Sequence, residues 1–140
     1  MRTDLLPAVR LLVAAGVLNL ALSFLLGWVL SAKRMKEPMD KHRWLLTAHE
    51  VSLQEGLLLL GCAFALLFAR LSLSTALVGA WLLALGSVFQ DLSGVLNWLR
   101  SVDDQFAAKS LGWISATINA MLNTAGLAIV VYGALAGVLS

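Results

Sequence analysis

Charge is what this chain has least of. Only 13% of its 140 residues are Asp, Glu, Lys or Arg, against about 25% in a soluble domain. It has a single cysteine, Cys62, which excludes a disulfide framework within one chain. Cys62 lies in an apolar run and reads as a small buried hydrophobe. Its two prolines, Pro7 and Pro38, fall at the start of the first apolar stretch and in the first loop, so no helix interior is broken. No HxxxH or CxxC spacing occurs, which argues against a zinc or di-iron site with several ligands. There is no glycine-rich phosphate loop and no basic face interleaved with aromatics. A net charge of +2 adds nothing that would favour nucleic acid.

What is present is apolar. Hydrophobic residues make up 60% of the sequence and the mean hydropathy is +0.87. A body of 15.0 kDa cannot bury that much, because small domains hide only about two-thirds of their unfolded surface. The composition predicts one integral-membrane domain over residues 1–140, all-α, folded as a four-helix transmembrane bundle. Four stretches reach the ~20 residues a spanning helix needs: Leu6–Ser31, Trp44–Arg70, Leu73–Leu99 and Leu111–Leu139. The first follows Arg2 and Arg10 and is longer than the 7–15 residues of a secretory signal core, so it reads as a span.

The loops carry the charge. Lys33, Arg34, Lys36, Lys41 and Arg43 sit in the first loop, and Arg100 and Lys109 in the third, making seven of the ten basic residues. The other side has Arg2, Arg10 and Arg70. The positive-inside rule then places loops one and three in the cytoplasm and both termini outside, as in a bacterial inner membrane. Trp28, Trp44, Trp98 and Trp113 flank the same two loops, as an aromatic belt would. A very short second loop near Arg70–Ser72 makes the middle helices a tight hairpin, with Ser72–Thr75 as a helix start. Gly133 and Gly137 read as a helix-packing motif.

Each stretch has a polar or small stripe at helical spacing: Gly16, Asn19, Ser23 and Gly27; His49, Ser52 and Gly56; Ser87, Gln90, Asp91, Gly94 and Asn97; Ser115, Asn119, Asn123 and Gly126. Such stripes commonly join membrane helices. The ionisable residues ask for more. His49, Glu50, Ser52, Gln54 and Glu55 crowd into seven residues of the second stretch, where a charge at bilayer depth costs about 2.5–3.5 kcal/mol on insertion scales. At 1.5 Å per residue His49 lies about 8 Å inside Trp44, Glu55 about 16 Å inside it, and Asp91 about 10 Å inside Trp98. The matching depths predict a polar pocket open toward the cytoplasmic side, and ionisable groups at such depth mark a substrate, ion or proton site. His42, one heptad before His49, reads as a solvated interface residue.

Several chemistries fit these residues. His49 has small neighbours in Ala48, Ser52 and Gly56, which leave space for a flat group such as a haem held by one axial imidazole. Glu55 and Asp91 could act as general acid and base, or pass protons or small solutes across the bilayer. The stripes could instead hold partner helices in a non-enzymatic membrane subunit, with any haem serving structure or electron transfer.

The run Ala48-His49 through Gly56, followed by Leu57–Leu67, resembles the second span of the styrene oxide isomerases and hydroxylaminobenzene mutases. Gly86-Ser87-Val88-Phe89-Gln90-Asp91 is similar to their polar third helix. Length, span count and loop layout agree over almost the whole chain. The resemblance implies a trimeric bundle with haem b near the subunit interfaces and His49 as axial ligand. It also implies an intramolecular rearrangement of a small apolar, oxygen-bearing substrate taken from the membrane: an epoxide to an aldehyde, or an arylhydroxylamine to an aminophenol. On this reading His49, Ser52 and Gly56 form the cofactor site, and Glu55, Asp91, Gln90 and Asn119 position and polarise the substrate. The chain departs from the family at Glu55, where the family has asparagine. It also lacks a tyrosine late in the third helix, where Gly94, Leu96 and Trp98 stand.

Overall fold

The computed structural model describes residues 3–139; Arg2, counted above among the basic residues, lies outside them. The described chain is all-helical. Long helices α1 (Leu6–Arg34), α2 (Arg43–Leu66), α3 (Leu73–Leu99) and α5 (Leu111–Val138) form the bundle, and α4 (Gln105–Ala108) is a single turn between α3 and α5. α1 lies along α2, and α3 along α5; α2 and α3 join the two pairs.

Three of these helices, α1, α3 and α5, are long and apolar enough to cross a membrane. α2 is not among them, since its first half holds His49, Glu50, Gln54 and Glu55. Large apolar side chains face outward all round the bundle, Leu18, Phe24, Phe64, Met121 and Tyr132 among them. A soluble monomer rarely exposes so continuous an apolar surface; a lipid-facing one does.

Local chemistry sets the helix ends. Pro7 stands in the first turn of α1, where its missing N–H costs nothing. Ser72 caps α3 by accepting from Thr75 N, as the Ser72–Thr75 run predicts. α2, however, stops at Leu66 rather than Arg70. Leu67, Phe68 and Ala69 each donate three residues back, which tightens the chain into a turn. Arg70 N then donates to Gly133 O on α5 (2.9 Å). A Cβ at Gly133 would strike Leu71, and one at Gly137 would strike the Phe68 carbonyl. This glycine pair therefore seats the α2–α3 turn rather than another helix.

The third loop is more ordered than its sequence suggests. Asp104 caps α4 through Phe106 N (2.8 Å) and Ala107 N (3.2 Å). Ser110 caps α5 at Trp113 N (3.0 Å) and donates to Asn97 Oδ1 (2.7 Å). Asn97, fully buried, also donates to Gln105 Oε1 (2.8 Å). One asparagine thus ties the end of α3 to both following helices. Ser110→Ala loses a cap and a buried partner together, and should lower unfolding stability by about 1–2 kcal/mol, read from a denaturant titration of the purified protein.

The core is layered. One apolar cluster joins Leu12, Leu59, Leu66, Leu83 and Val130; another joins Leu26, Leu30, Leu45 and Ala48. Between them, on all four long helices, lie the polar residues.

Candidate functional site

His49 faces α1. Its Nδ1 lies 2.8 Å from Ser23 O and 3.0 Å from Ser23 Oγ, and Ser23 Oγ donates to His49 O at 2.9 Å. A carbonyl oxygen can only accept, so Nδ1 carries a proton, and in the neutral imidazole Nε2 is then the acceptor nitrogen. This is how metal-binding histidines are commonly oriented by a second partner. The ring stands against Gly27, whose absent side chain makes the room: a Cβ there would sit 3.1 Å from His49 Cε1. Beside it a groove of about 410 Å³ runs along the outer surface, lined by Phe24, Gly27, Trp28, Leu30, Ser31, Leu46 and His49. Among the described residues no three His, Cys, Asp or Glu side chains converge on a metal position; ligation by one imidazole does not require them.

The carboxylates face the other way. Ser52 Oγ donates to Asp91 Oδ1 (2.5 Å), joining α2 to α3. Asn123 Nδ2 donates to Glu55 Oε1 (2.9 Å), joining α5 to α2. Asn119 Nδ2 donates to Gln90 Oε1, joining α5 to α3. Asn19 Nδ2 reaches Ala15 O (2.9 Å) and Ser87 Oγ (3.1 Å), joining α1 to α3. Ser115 Oγ donates to Phe89 O (2.6 Å). Glu55 and Asp91 are both buried, with no ion pair to either among the described residues.

The structure thus divides the residues singled out from the sequence. Glu55, Asp91, Gln90 and Asn119 do share one layer. Ser52 belongs to that layer through Asp91 and not to the His49 groove. Gly56 is a packing position, since its Cβ would fall 2.8–3.0 Å from Leu20 and the Gly16 carbonyl. Glu50 and Gln54 are exposed, so only part of the polar run on α2 turns inward. Helical spacing lets about half of a run of seven face any one direction.

His42 corrects the expectation of a solvated residue. It is 4% exposed, accepts from Trp98 Nε1 (3.3 Å) and lies 3.4 Å from Glu37 Oε2. It forms the floor of a cavity of about 760 Å³ at the basic end of the bundle. Trp44 Nε1 donates to Val102 O at the same end (2.5 Å). Cys62 is buried and free.

Two partners stand outside the site drawn from the sequence: Ser23 for His49, and Asn123 for Glu55. Both lie on the 3–4 stripes of α1 and α5. Spacing places such residues on a face without saying which face of a neighbour they meet. No protein family, no curated protein and no solved structure matches this chain.

Proposed function

We propose that the chain is a four-span protein of the bacterial inner membrane, with the first and third loops cytoplasmic. It binds haem b through His49 Nε2 and rearranges a small apolar, oxygen-bearing substrate without net redox change. The observation that carries this reading is the His49 ring: its Nδ1 bonds Ser23 O, which leaves Nε2 of the neutral ring to act as ligand, and the ring lines a largely apolar groove of about 410 Å³. That volume falls within the usual 300–1,000 Å³ range for small-molecule and cofactor sites. Ser23 would hold the imidazole in register, while Phe24, Trp28 and the floor at Gly27 would take the flat group. Ferric haem, when bound, supplies a Lewis acid for an epoxide or hydroxylamine oxygen. The surrounding apolar side chains exclude water, which strengthens any polar contact made there.

α2 stands between His49 and the inner layer. Glu55, Asp91, Gln90 and Asn119 therefore act on a substrate only through the position of α2, since none of them lines the His49 groove. One copy leaves the His49 groove open along its outer edge, and a second copy laid over it supplies the wall. A homo-oligomer, a trimer by the family resemblance, follows from that reading. α2 crosses the membrane as the fourth span because it packs between α1 and α3 and turns Ser52 and Glu55 inward.

The absorbance spectrum of the protein purified after haem supplementation tests the proposal. A Soret band is expected, and His49→Ala should remove it. Turnover of an aryl epoxide or an arylhydroxylamine without added reductant should disappear with the band. A spectrum unchanged by His49→Ala sinks the assignment. One observation favours a second reading, a haem-binding subunit without catalysis: the inner carboxylates and amides are engaged with one another instead of facing the groove. A Soret band without turnover of either substrate selects it.

A further inference from the structure

α2 turns two polar side chains the wrong way for a helix in lipid. Ser52 and Glu55 face the inner layer, but Glu50 and Gln54 are exposed on the outside of the bundle and have no side-chain partner among the described residues. Neither lines the His49 groove or the cavity at the basic end. At 1.5 Å per residue Glu50 lies about 9 Å inside Trp44, and Gln54 about 15 Å inside it. Ionisable side chains at such depth almost always face a bundle interior or a water-filled cavity. Glutamate and glutamine lack the long stems that carry the charged ends of Lys and Arg out to the headgroups. Protonating Glu50 would remove its charge, yet the Gln54 amide would still turn two donors and an acceptor toward hydrocarbon.

The two side chains belong to one seam. Thr47, Glu50, Gln54 and Leu57 follow the 3–4 spacing of a helix–helix contact, and all four are exposed. Thr47 Oγ1 is satisfied within α2 by Arg43 O (3.0 Å). The opposite face of the helix, with Ser52, Leu59 and Ala63, is the buried one. The seam therefore points straight out of the bundle.

Whatever covers it must bring a donor for a carboxylate and an acceptor for an amide, both at matching depth. The seam carries both itself. Copies of one chain enter a membrane the same way round, because the same loop charges orient them, so α2 meets α2 in parallel. In a parallel pair each seam side chain inserts among four of the facing helix. For Gln54 these are Glu50, Leu53, Gln54 and Leu57 of the other copy.

We propose that α2 packs against α2 of a second copy of this chain along Thr47–Leu57, with Gln54 Nε2 of each copy donating to the Glu50 carboxylate of the other. Hydrogen bonds of this kind join membrane helices where apolar contact alone is no better than contact with lipid, and a polar pair within a seam also fixes its register. The interface does not depend on what binds at His49. It does rest on α2 crossing the membrane as the fourth span.

Cysteine cross-linking of the full chain in its own membranes tests the seam. Leu57→Cys alters a side chain that is 58% exposed and leaves the core intact. Treated with an oxidant that enters the bilayer, it should give a disulfide-linked pair on a non-reducing gel. Met121→Cys, at a position 71% exposed on α5, should not, and neither should the unaltered chain, whose Cys62 is buried. Adding Gln54→Leu to Leu57→Cys should lower the ratio of linked to unlinked chain about threefold or more, the weight of one interhelical hydrogen bond in a bilayer. Adding Glu50→Gln keeps an acceptor and removes the repulsion between facing carboxylates, so the linked pair should persist. Linking by Leu57→Cys no stronger than by Met121→Cys overturns the interface, and so does a ratio that Gln54→Leu leaves unchanged. The fourth-span reading fails by a different result: a membrane-impermeant maleimide that labels Leu57→Cys puts α2 outside the bilayer and removes the ground for the seam.

Discussion

Gly94→Leu should prevent the bundle from closing. Gly94 is where α3 meets α2. A Cβ at this position would lie 2.8 Å from Ala48 Cβ, 3.0 Å from its Cα and 3.2 Å from its backbone nitrogen. Two of those three atoms are backbone, which cannot rotate away as a side-chain tip can. Overpacking a core costs about 1–3 kcal/mol even where neighbours yield, and leucine here must push two helix axes apart. Against a total stability of about 5–15 kcal/mol, a loss of roughly 3 kcal/mol or more leaves little folded protein at growth temperature. Gly61→Leu is the control, because nothing lies within 4 Å of a Cβ at Gly61. The two variants should separate clearly in melting temperature and in yield of monodisperse protein. Equal behaviour would mean that α2 and α3 do not approach at Ala48 and Gly94.

Asn123→Leu should be the second most damaging change, for an electrostatic reason. Asn123 is the donor to Glu55 Oε1, and the other carboxylate oxygen already has no partner. Leucine leaves a buried carboxylate with neither oxygen satisfied. The hydrogen bond itself contributes about 0.5–3 kcal/mol, and a buried acceptor left unsatisfied costs about 1–3 kcal/mol. A fall of roughly 2–4 kcal/mol in unfolding stability is expected. Adding Glu55→Leu should recover much of it, since removing both polar partners is nearly neutral where removing one is not. A double-mutant cycle measures that coupling. Additive effects would show that the two side chains do not meet in the folded protein.

Much of the fold was legible before any coordinates. Helix number and approximate bounds follow from the length of the apolar runs, and the Ser72 cap from local chemistry. The end of α2 was not legible. Residues 67–69 are as apolar as those before them, and only the docking of Phe68 and Arg70 on α5 explains why the helix stops. α4 escaped for a similar reason: one turn, held by Asp104, has no periodicity to detect. Of the site, depth was readable and direction was not. A rise of 1.5 Å per residue set Asp91 between His49 and Glu55 in depth, and Asp91 and Glu55 lie in one layer. The same count could not tell that His49 turns to Ser23 on α1 while Ser52, three residues on, turns to Asp91 on α3. On a central helix, neighbouring positions in sequence serve different partners. His42 was misread because loop residues are usually wet; Trp98 covers it.

The pairing of helices bears on how the molecule is made. α1 packs along α2, and α3 along α5, so the amino-terminal half can collapse as a hairpin while the ribosome is still translating the other half. At that moment the Ser23–His49 bonds can form. Ser52, Glu55 and Asn19 must wait, because Asp91, Asn123 and Ser87 belong to polypeptide not yet synthesised. The nascent hairpin therefore holds its most polar side chains unmatched. They stay so until α3 brings Asp91 and Ser87 and the last helix brings Asn123.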